Sequence, residues 1–205
     1  YIEGTRALQV QLPSSAAAAP EMDLNITGGE LKSNETTYNL AIYVYSNGQS
    51  AEKLSLEIDG GTFNGNIAIN AAASNSMNEN AVLVEGGTFN GEYGIFSYSE
   101  EASAKEVISI VGGTFKTNYA EMYAEDDGYI FVKNGDVYNV EAGSYVAQIN
   151  DGTKYESLAE ALTAAQDGNT VNLLADMANI GSVTFSKSLT INGNGHTISG
   201  ESRIV

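Results

Sequence analysis

The sequence predicts an all-β protein, a right-handed parallel β-helix with one capping α-helix and β-hairpins. Three observations carry that expectation: a four-residue motif that returns at a fixed step, an alternation of apolar and polar residues before each copy, and glycine pairs where each strand must bend.

The motif is Gly60-Gly61-Thr62-Phe63, which returns as Gly86-Gly87-Thr88-Phe89 and as Gly112-Gly113-Thr114-Phe115, both steps being 26 residues. A looser copy, Ile26-Thr27-Gly28-Gly29-Glu30-Leu31, lies 32 residues earlier, the excess fitting an insertion around Ser33 to Thr37. A fixed period of this length is the mark of a stacked solenoid.

Each Gly-Gly pair follows an alternating run. Leu24 and Ile26 align with Leu56 and Ile58, with Val82 and Val84, and with Ile108 and Ile110. Period-two alternation places one face of a strand in a core. Phe63, Phe89, Phe115 and Leu31 form a second inward column. A further strand aligns Ile67 and Ile69 with Tyr93 and Ile95, and with Leu40 and Ile42. Stacked coils pair equivalent strands in parallel about 4.8 Å apart, so like residues form ladders and the stack supplies the stability that one coil lacks. Asn64 and Asn90 align after the phenylalanines, either as an amide ladder or as solvated turn residues.

The period fades after Phe115. Phe131 to Tyr138 reads as a hairpin turning at Asn134-Gly135, and Val146 to Tyr155 as another around Asp151-Gly152. Ser157-Leu158-Ala159-Glu160 is a capping-box pattern that opens a helix with Leu158, Ala161, Leu162 and Ala165 on one face and Gly168 as its stop. Strands follow at Thr170–Leu174, Val183–Phe185, Leu189–Ile191 and Thr197–Ile198. Three regions result: coils over 1–120, hairpins over 121–156, and a capping helix with first-coil strands over 157–205.

The runs Val146 to Leu162, Gly168 to Asp176 and Ser188 to Gly200 resemble the opening of pectin-lyase-like β-helix domains in bacterial cell-surface proteins, and the Gly-Gly-Thr-Phe coils are similar to the body of such domains in gut Firmicutes. The resemblance implies an extracellular, cell-surface location and a helix that caps the open end of the solenoid. It identifies function less well than fold, since related domains include both enzymes and non-catalytic stalks. The expected order is cap, first coils, body, whereas here the body precedes the cap. A junction of tandem units or a circular permutation fits that order, as do two unrelated neighbours. In the first two cases residues 197–205 are expected beside residues 1–10, within one chain or in an end-to-end array.

Composition narrows the function. With 26 acidic against 9 basic residues, the net charge is −17, which argues against nucleic acid, anionic membrane and polyanionic substrates. Cysteine is absent, so disulfides and thiolate metal sites play no part. No apolar run is long enough to insert in a membrane. Tyr1 to Val10 lacks the pattern of a signal peptide, so an export signal is expected outside this stretch, and both ends read as cut from something longer.

The resemblance implies, for the enzymes among such domains, clustered aspartates with a basic residue or a second acid nearby. Here the arginines are Arg6 and Arg203 and the sole histidine is His196, whose context reads as a strand edge. Asp126-Asp127 reads as a solvated pair. A non-catalytic adhesin or stalk module is therefore expected, the alternative being a polysaccharide lyase or glycoside hydrolase. If Leu40 and Ile42 face inward, Tyr43 and Tyr45 face out, with Phe96 and Tyr98 at equivalent positions two coils away. Such rings suit sugar C–H faces, or else they pack beneath hairpins or loops. A glycan or a host or cell-surface protein is the expected partner. No cofactor is expected, although Asp59 and Glu85 align on adjacent coils, where like charge favours a cation such as Ca2+ or intervening water.

Overall fold

The structure, a computed structural model, describes residues 2–11, 21–34, 38–46, 53–71, 81–98, 107–125 and 128–200. Strands make up 54% of them and helices 9%, so the chain is all-β as expected. It divides into two compact units, Tyr1–Ala142 and Gly143–Val205.

In the first unit the strands in chain order are β1 (Ile2–Gly4), β2 (Arg6–Gln11), β3 (Glu21–Ser33), β4 (Leu40–Ser46), β5 (Lys53–Asn64), β6 (Asn66–Ala71), β7 (Val82–Val84), β8 (Thr88–Phe89), β9 (Ile95–Ser97), β10 (Ile108–Ile110) and β11 (Thr114–Phe115). A 3-10 turn (Tyr119–Glu121) and a short helix α1 (Met122–Glu125) precede β12 (Tyr129–Asn134) and β13 (Val137–Ala142). One sheet runs β1-β3-β5-β8-β11-β13-β12 with β7 and β10 continuing from β5, and another runs β2-β4-β6-β9.

The repeat sets the pairing. Leu24, Leu56, Val82 and Ile108 are successive partners in parallel strands, as are Ile26, Ile58, Val84 and Ile110. Leu31 pairs with Phe63, Phe63 with Phe89 and Phe89 with Phe115, again in parallel. The three phenylalanines are fully buried, with ring centroids 4.9 and 4.3 Å apart and planes within 12° and 8° of each other. In-register strands hold the rings face to face, and each removes a large apolar area from water.

The Gly-Gly pair has two separate tasks. Gly61, Gly87 and Gly113 have φ of +102°, +104° and +106°, a region that side chains with a Cβ avoid. Gly60, Gly86 and Gly112 lie against the preceding repeat, where an added Cβ would run into the carbonyl oxygens of Thr27, Asp59 and Glu85. At this corner two successive N–H groups share one acceptor: Glu85 and Gly86 both donate to Ile58 O (2.9 and 3.0 Å), and Val111 and Gly112 both donate to Val84 O (2.9 and 3.2 Å). Each repeat is thus bulged at the same place.

The second sheet departs from the expected register. Ile67 pairs with Ile95, not Tyr93, and Ile42 and Val44 pair with Ile67 and Ile69 after a bulge that leaves Leu40, Ala41 and Ile42 all buried. The corner from Asn90 to Gly94 is two residues longer than its predecessor. Tyr93, expected inside beside Ile67, is instead 39% exposed.

Not every pairing is parallel. β13 runs antiparallel to β11 and to β12, and its hairpin turns on Gly135-Asp136 rather than Asn134-Gly135, since Asn134 still pairs with Val137. Gly135 has φ +64°, as the first central residue of a type II′ turn requires.

The second unit contains β14 (Ala147–Ile149), β15 (Lys154–Tyr155), the helix α2 (Leu158–Ala164), β16 (Thr170–Leu173), β17 (Met177–Ala178), β18 (Thr190–Asn192) and β19 (Ile198–Ser199). β14 pairs antiparallel with β15 and β16; β16 with β18 and β17 with β19 are parallel. Ser157 Oγ accepts from Glu160 N at 3.2 Å, and Leu158, Ala161, Leu162 and Ala165 are buried as the spacing implies. The helix ends before Gly168: Ala165 leaves helical φ/ψ, and Lys187 Nζ donates to the carbonyls of Thr163 and Ala165, both at 2.6 Å. Val183 makes only an isolated bridge where a strand was expected. Tyr1, Ser33-to-Thr37 in part (35–37), Asp126-Asp127 and residues 201–205 lie outside the described residues, and with them the expected meeting of the termini.

Candidate functional site

The sheet β2-β4-β6-β9 has one face packed into the core and an opposite face of partly exposed aromatic and amide side chains, on which Ala68 is fully buried. Leu8, Ile42, Ile67 and Ile95 form one inward column, and Gln9, Tyr43, Ala68 and Phe96 the adjacent outward one. Gln11, Tyr45 and Asn70 extend a second outward column, which Tyr98 continues through its N–H bond to Ile69 O at 2.9 Å. The four aromatic residues expected on this face, Tyr43, Tyr45, Phe96 and Tyr98, therefore do share it. The face is rigid because its strands are held by ladders on both sides of each internal strand.

The four are not equivalent. The Arg6 guanidinium lies 4.3 Å over the Tyr43 ring, Tyr45 stacks beside that ring at 6.2 Å, and the Tyr43 hydroxyl accepts from Asn70 Nδ2 at 3.0 Å. Tyr43 is thus committed to packing, which supports the structural reading of that ring. Phe96 and Tyr98 instead belong to an aromatic cluster with Tyr93 and Tyr119. Tyr93 meets Phe96 at 5.5 Å and Tyr119 at 4.9 Å, and Phe96 meets Tyr98 at 5.1 Å, all edge to face. Tyr93, Tyr98 and Tyr119 remain 39%, 46% and 48% exposed, so each residue is partly open to water.

The backbone fixes this cluster. Buried Asn66 accepts from Tyr93 N at 2.9 Å and donates to Tyr38 O at 3.2 Å, anchoring the long corner to the strands before it. Thr117 Oγ1 donates to Glu92 O at 2.7 Å, bringing Tyr119 beside that corner. Tyr123, buried behind β9, accepts from Ser97 N at 3.1 Å. Burial pushes its hydroxyl pKa up, partly opposed by that bond, so it stays a neutral, fixed support. Tyr93 and Tyr119 were not legible as site residues; an aromatic residue in a glycine-flanked corner, Gly91-Glu92-Tyr93-Gly94, is the sequence signal that points to the first.

A second arrangement lies on the other sheet. Asp59 and Glu85 follow the paired Ile58 and Val84 at the bulged corners, and Glu57 joins them. One carboxylate oxygen of each lies within 4.8 Å of the others. Desolvation, hydrogen bonds to Glu57 and Asp59, and their charge push the Glu85 carboxyl above its ordinary pKa. Asn25 Nδ2 donates to Glu57 Oε2 at 3.4 Å. Three carboxylates are a suitable oxygen donor set for Ca2+, which takes six to eight oxygens, so water would complete the shell. Proton or cation relieves the same repulsion. Sharing a proton is chemistry that any crowded acid group performs, and it does not by itself indicate catalysis.

The amide ladder is present: Asn90 Nδ2 donates to Asn64 Oδ1 at 2.8 Å and Asn64 Nδ2 to Glu30 Oε1 at 2.6 Å. In the second unit, His196 Nδ1 lies 3.6 Å from Asp176 Oδ1, which also accepts from Thr197 N at 2.8 Å and Thr197 Oγ1 at 3.2 Å. The Thr197 bonds, with His196 adding to them, hold the Asp176 carboxyl below its ordinary pKa. His196 is therefore engaged in joining strands.

Among the described residues, no helix is long and apolar enough to cross a membrane. Comparison with protein families, with curated proteins and with solved structures finds no match to this chain.

Proposed function

We propose that this chain is a non-catalytic, extracellular module of a bacterial cell surface, an adhesin or stalk element of the pectin-lyase-like right-handed parallel β-helix kind, that holds a neutral glycan on Tyr93, Phe96, Tyr98 and Tyr119. The architectural part rests on the in-register parallel ladders and on the near-universal right-handedness of parallel crossovers. The observation that carries the functional part is the partly exposed aromatic cluster in which Tyr93 of the corner and Tyr119 of the 3-10 turn join Phe96 and Tyr98 at the end of the strand face. Sugar C–H groups stack on ring faces, tyrosine hydroxyls meet sugar hydroxyls, and Gln9, Gln11 and Asn70 add amide partners further along the face. A net charge of −17 disfavours uronate-rich chains and leaves neutral ones.

Affinity electrophoresis through gels holding neutral or uronate polysaccharides tests this reading. Retardation by a neutral glycan, weakened about five- to tenfold in Tyr98→Ala or Tyr119→Ala, is expected. Equal retardation of wild type and both variants would place the glycan elsewhere. Release of reducing ends or unsaturated products from pectin, alginate or xylan, abolished by one acid substitution, would replace the module reading with the enzyme reading.

A further inference from the structure

Five Asn-Gly pairs lie among the described residues: Asn64-Gly65, Asn90-Gly91, Asn134-Gly135, Asn192-Gly193 and Asn194-Gly195. Asn47-Gly48 lies outside them. The pair has a chemistry of its own. Glycine has no Cβ to crowd its backbone nitrogen, so that nitrogen can reach the side-chain carbonyl of the asparagine before it. Whether it does so depends on how firmly the amide and the backbone are held.

Four of the five are held. Asn64 Nδ2 donates to Glu30 Oε1 at 2.6 Å while Asn64 Oδ1 accepts from Asn90 Nδ2 at 2.8 Å, so one ladder fixes both amides. Gly65 and Gly91, whose nitrogens would attack, are buried. Asn192 Nδ2 donates to Asn172 Oδ1 at 3.1 Å and Asn192 Oδ1 accepts from Asn194 N at 3.2 Å, while Asn194 Nδ2 donates to Leu173 O at 3.2 Å. Asn134 differs. It and Gly135 are exposed, and among the described residues its side chain has no hydrogen-bond partner. Its backbone is held by the last rung of the β12-β13 hairpin, opposite Val137, and Gly135 N lies beyond that rung in the turn. A terminal rung at a loop tip frays at little cost.

We infer that Asn134 is a site of spontaneous modification, converted to aspartate and isoaspartate by attack of its own backbone, and that the change loosens the hairpin. Gly135 N attacks Asn134 Cγ: the N–Cγ bond forms, the Cγ–Nδ2 bond breaks, and the Gly135 amide proton leaves with the side-chain nitrogen as ammonia. Water then opens the cyclic imide, its oxygen staying on the carbonyl it attacks. Opening at Cγ gives aspartate. Opening at the main-chain carbonyl leaves Gly135 joined through Cγ and gives isoaspartate. Nothing is oxidised or reduced. Either product places a carboxylate in the turn beside Asp136, and isoaspartate also inserts the side-chain methylene into the main chain, which breaks the rung to Val137. That hairpin carries Phe131, whose ring lies 4.8 Å from Phe115 at the end of the phenylalanine column, and its second strand pairs with β11.

Incubation of the full chain at neutral pH in water labelled with heavy oxygen, followed by peptide mapping in a mass spectrometer, tests the inference. Each site is compared with the same site in denaturant. Label is expected at residue 134 at least about tenfold faster, on that scale, than at Asn64, Asn90, Asn192 and Asn194, whose amides react only after local opening. Part of it should be released as isoaspartate. The incubated wild type is expected to melt below fresh protein, whereas Asn134→Gln, incubated alike, keeps its own melting point. Labelling at residue 134 no faster than at the other four overturns the inference. So does labelling at residue 134 that leaves the melting point where it was, or an equal loss in Asn134→Gln.

Discussion

Phe89 and Phe115 stack with ring centroids 4.3 Å apart and planes 8° apart, neither exposed to water. Phe89 has Phe63 on its other side at 4.9 Å, so it is the middle ring of the three-phenylalanine column. Phe131 caps the last ring at 4.8 Å. The Phe89→Ala variant is expected to lose about 3–5 kcal/mol of unfolding free energy in a denaturant titration. A loss below about 1 kcal/mol is what a surface position gives.

The two glycines of one motif are expected to fail differently. Gly87→Ala places a Cβ on a residue with φ +104° and costs about 1–2 kcal/mol. Gly86→Ala drives a Cβ into Asp59 O, a backbone atom that cannot swing away, so its loss should be the larger. Thermal melts of the two variants measure the order.

The carboxyl cluster gives a pH signature. Glu85 has a folded pKa above its ordinary value, so its proton favours the folded state. That contribution is present below the ordinary glutamate pKa and is lost as pH rises through the folded value. Glu85→Gln should therefore melt higher than wild type at neutral pH, and the difference should close on acidification to about pH 4. Ca2+ should raise the wild-type melting point at neutral pH more than that of the variant.

Asp176 has the opposite sign. Its folded pKa is depressed, so its stabilisation is present above the ordinary aspartate pKa and is lost as pH falls through the folded value. Asp176→Asn keeps an acceptor for Thr197 but removes the charge. Wild type should be the more stable at neutral pH, with the gap shrinking in acid, followed by melts across the acid range.

The first sheet was legible because its signal is redundant. Three copies of Gly-Gly-Thr-Phe fix the step, and the bulge repeats with them, so Leu56, Val82 and Ile108 fall into one column. The second sheet was legible in face but not in register. Two extra residues between Phe89 and Ile95 preserve the alternation, because the side-chain period is two, and so alternation cannot reveal them. Tyr93 was for that reason read as an inward partner of Ile67, whereas Ile95 holds that place. The outward columns survived the same shift, and Tyr43 still shares one with Phe96 through Ala68. What periodicity could not show was which rings were already engaged. Arg6 over Tyr43 joins residues from neighbouring strands, and Tyr119 comes to Tyr93 from a turn beyond the last repeat.

The most direct measurement is a titration of the tyrosine ring resonances with a neutral oligosaccharide. The account predicts saturable shifts in Tyr93, Tyr98 and Tyr119, with Tyr129 and Tyr138 of the hairpin unmoved. It also predicts that Phe96→Ala, which removes the ring that Tyr93 and Tyr98 both pack against, weakens the response without unfolding the chain. Shifts confined to tyrosines outside the cluster, or no saturable shift with any neutral glycan, would contradict it.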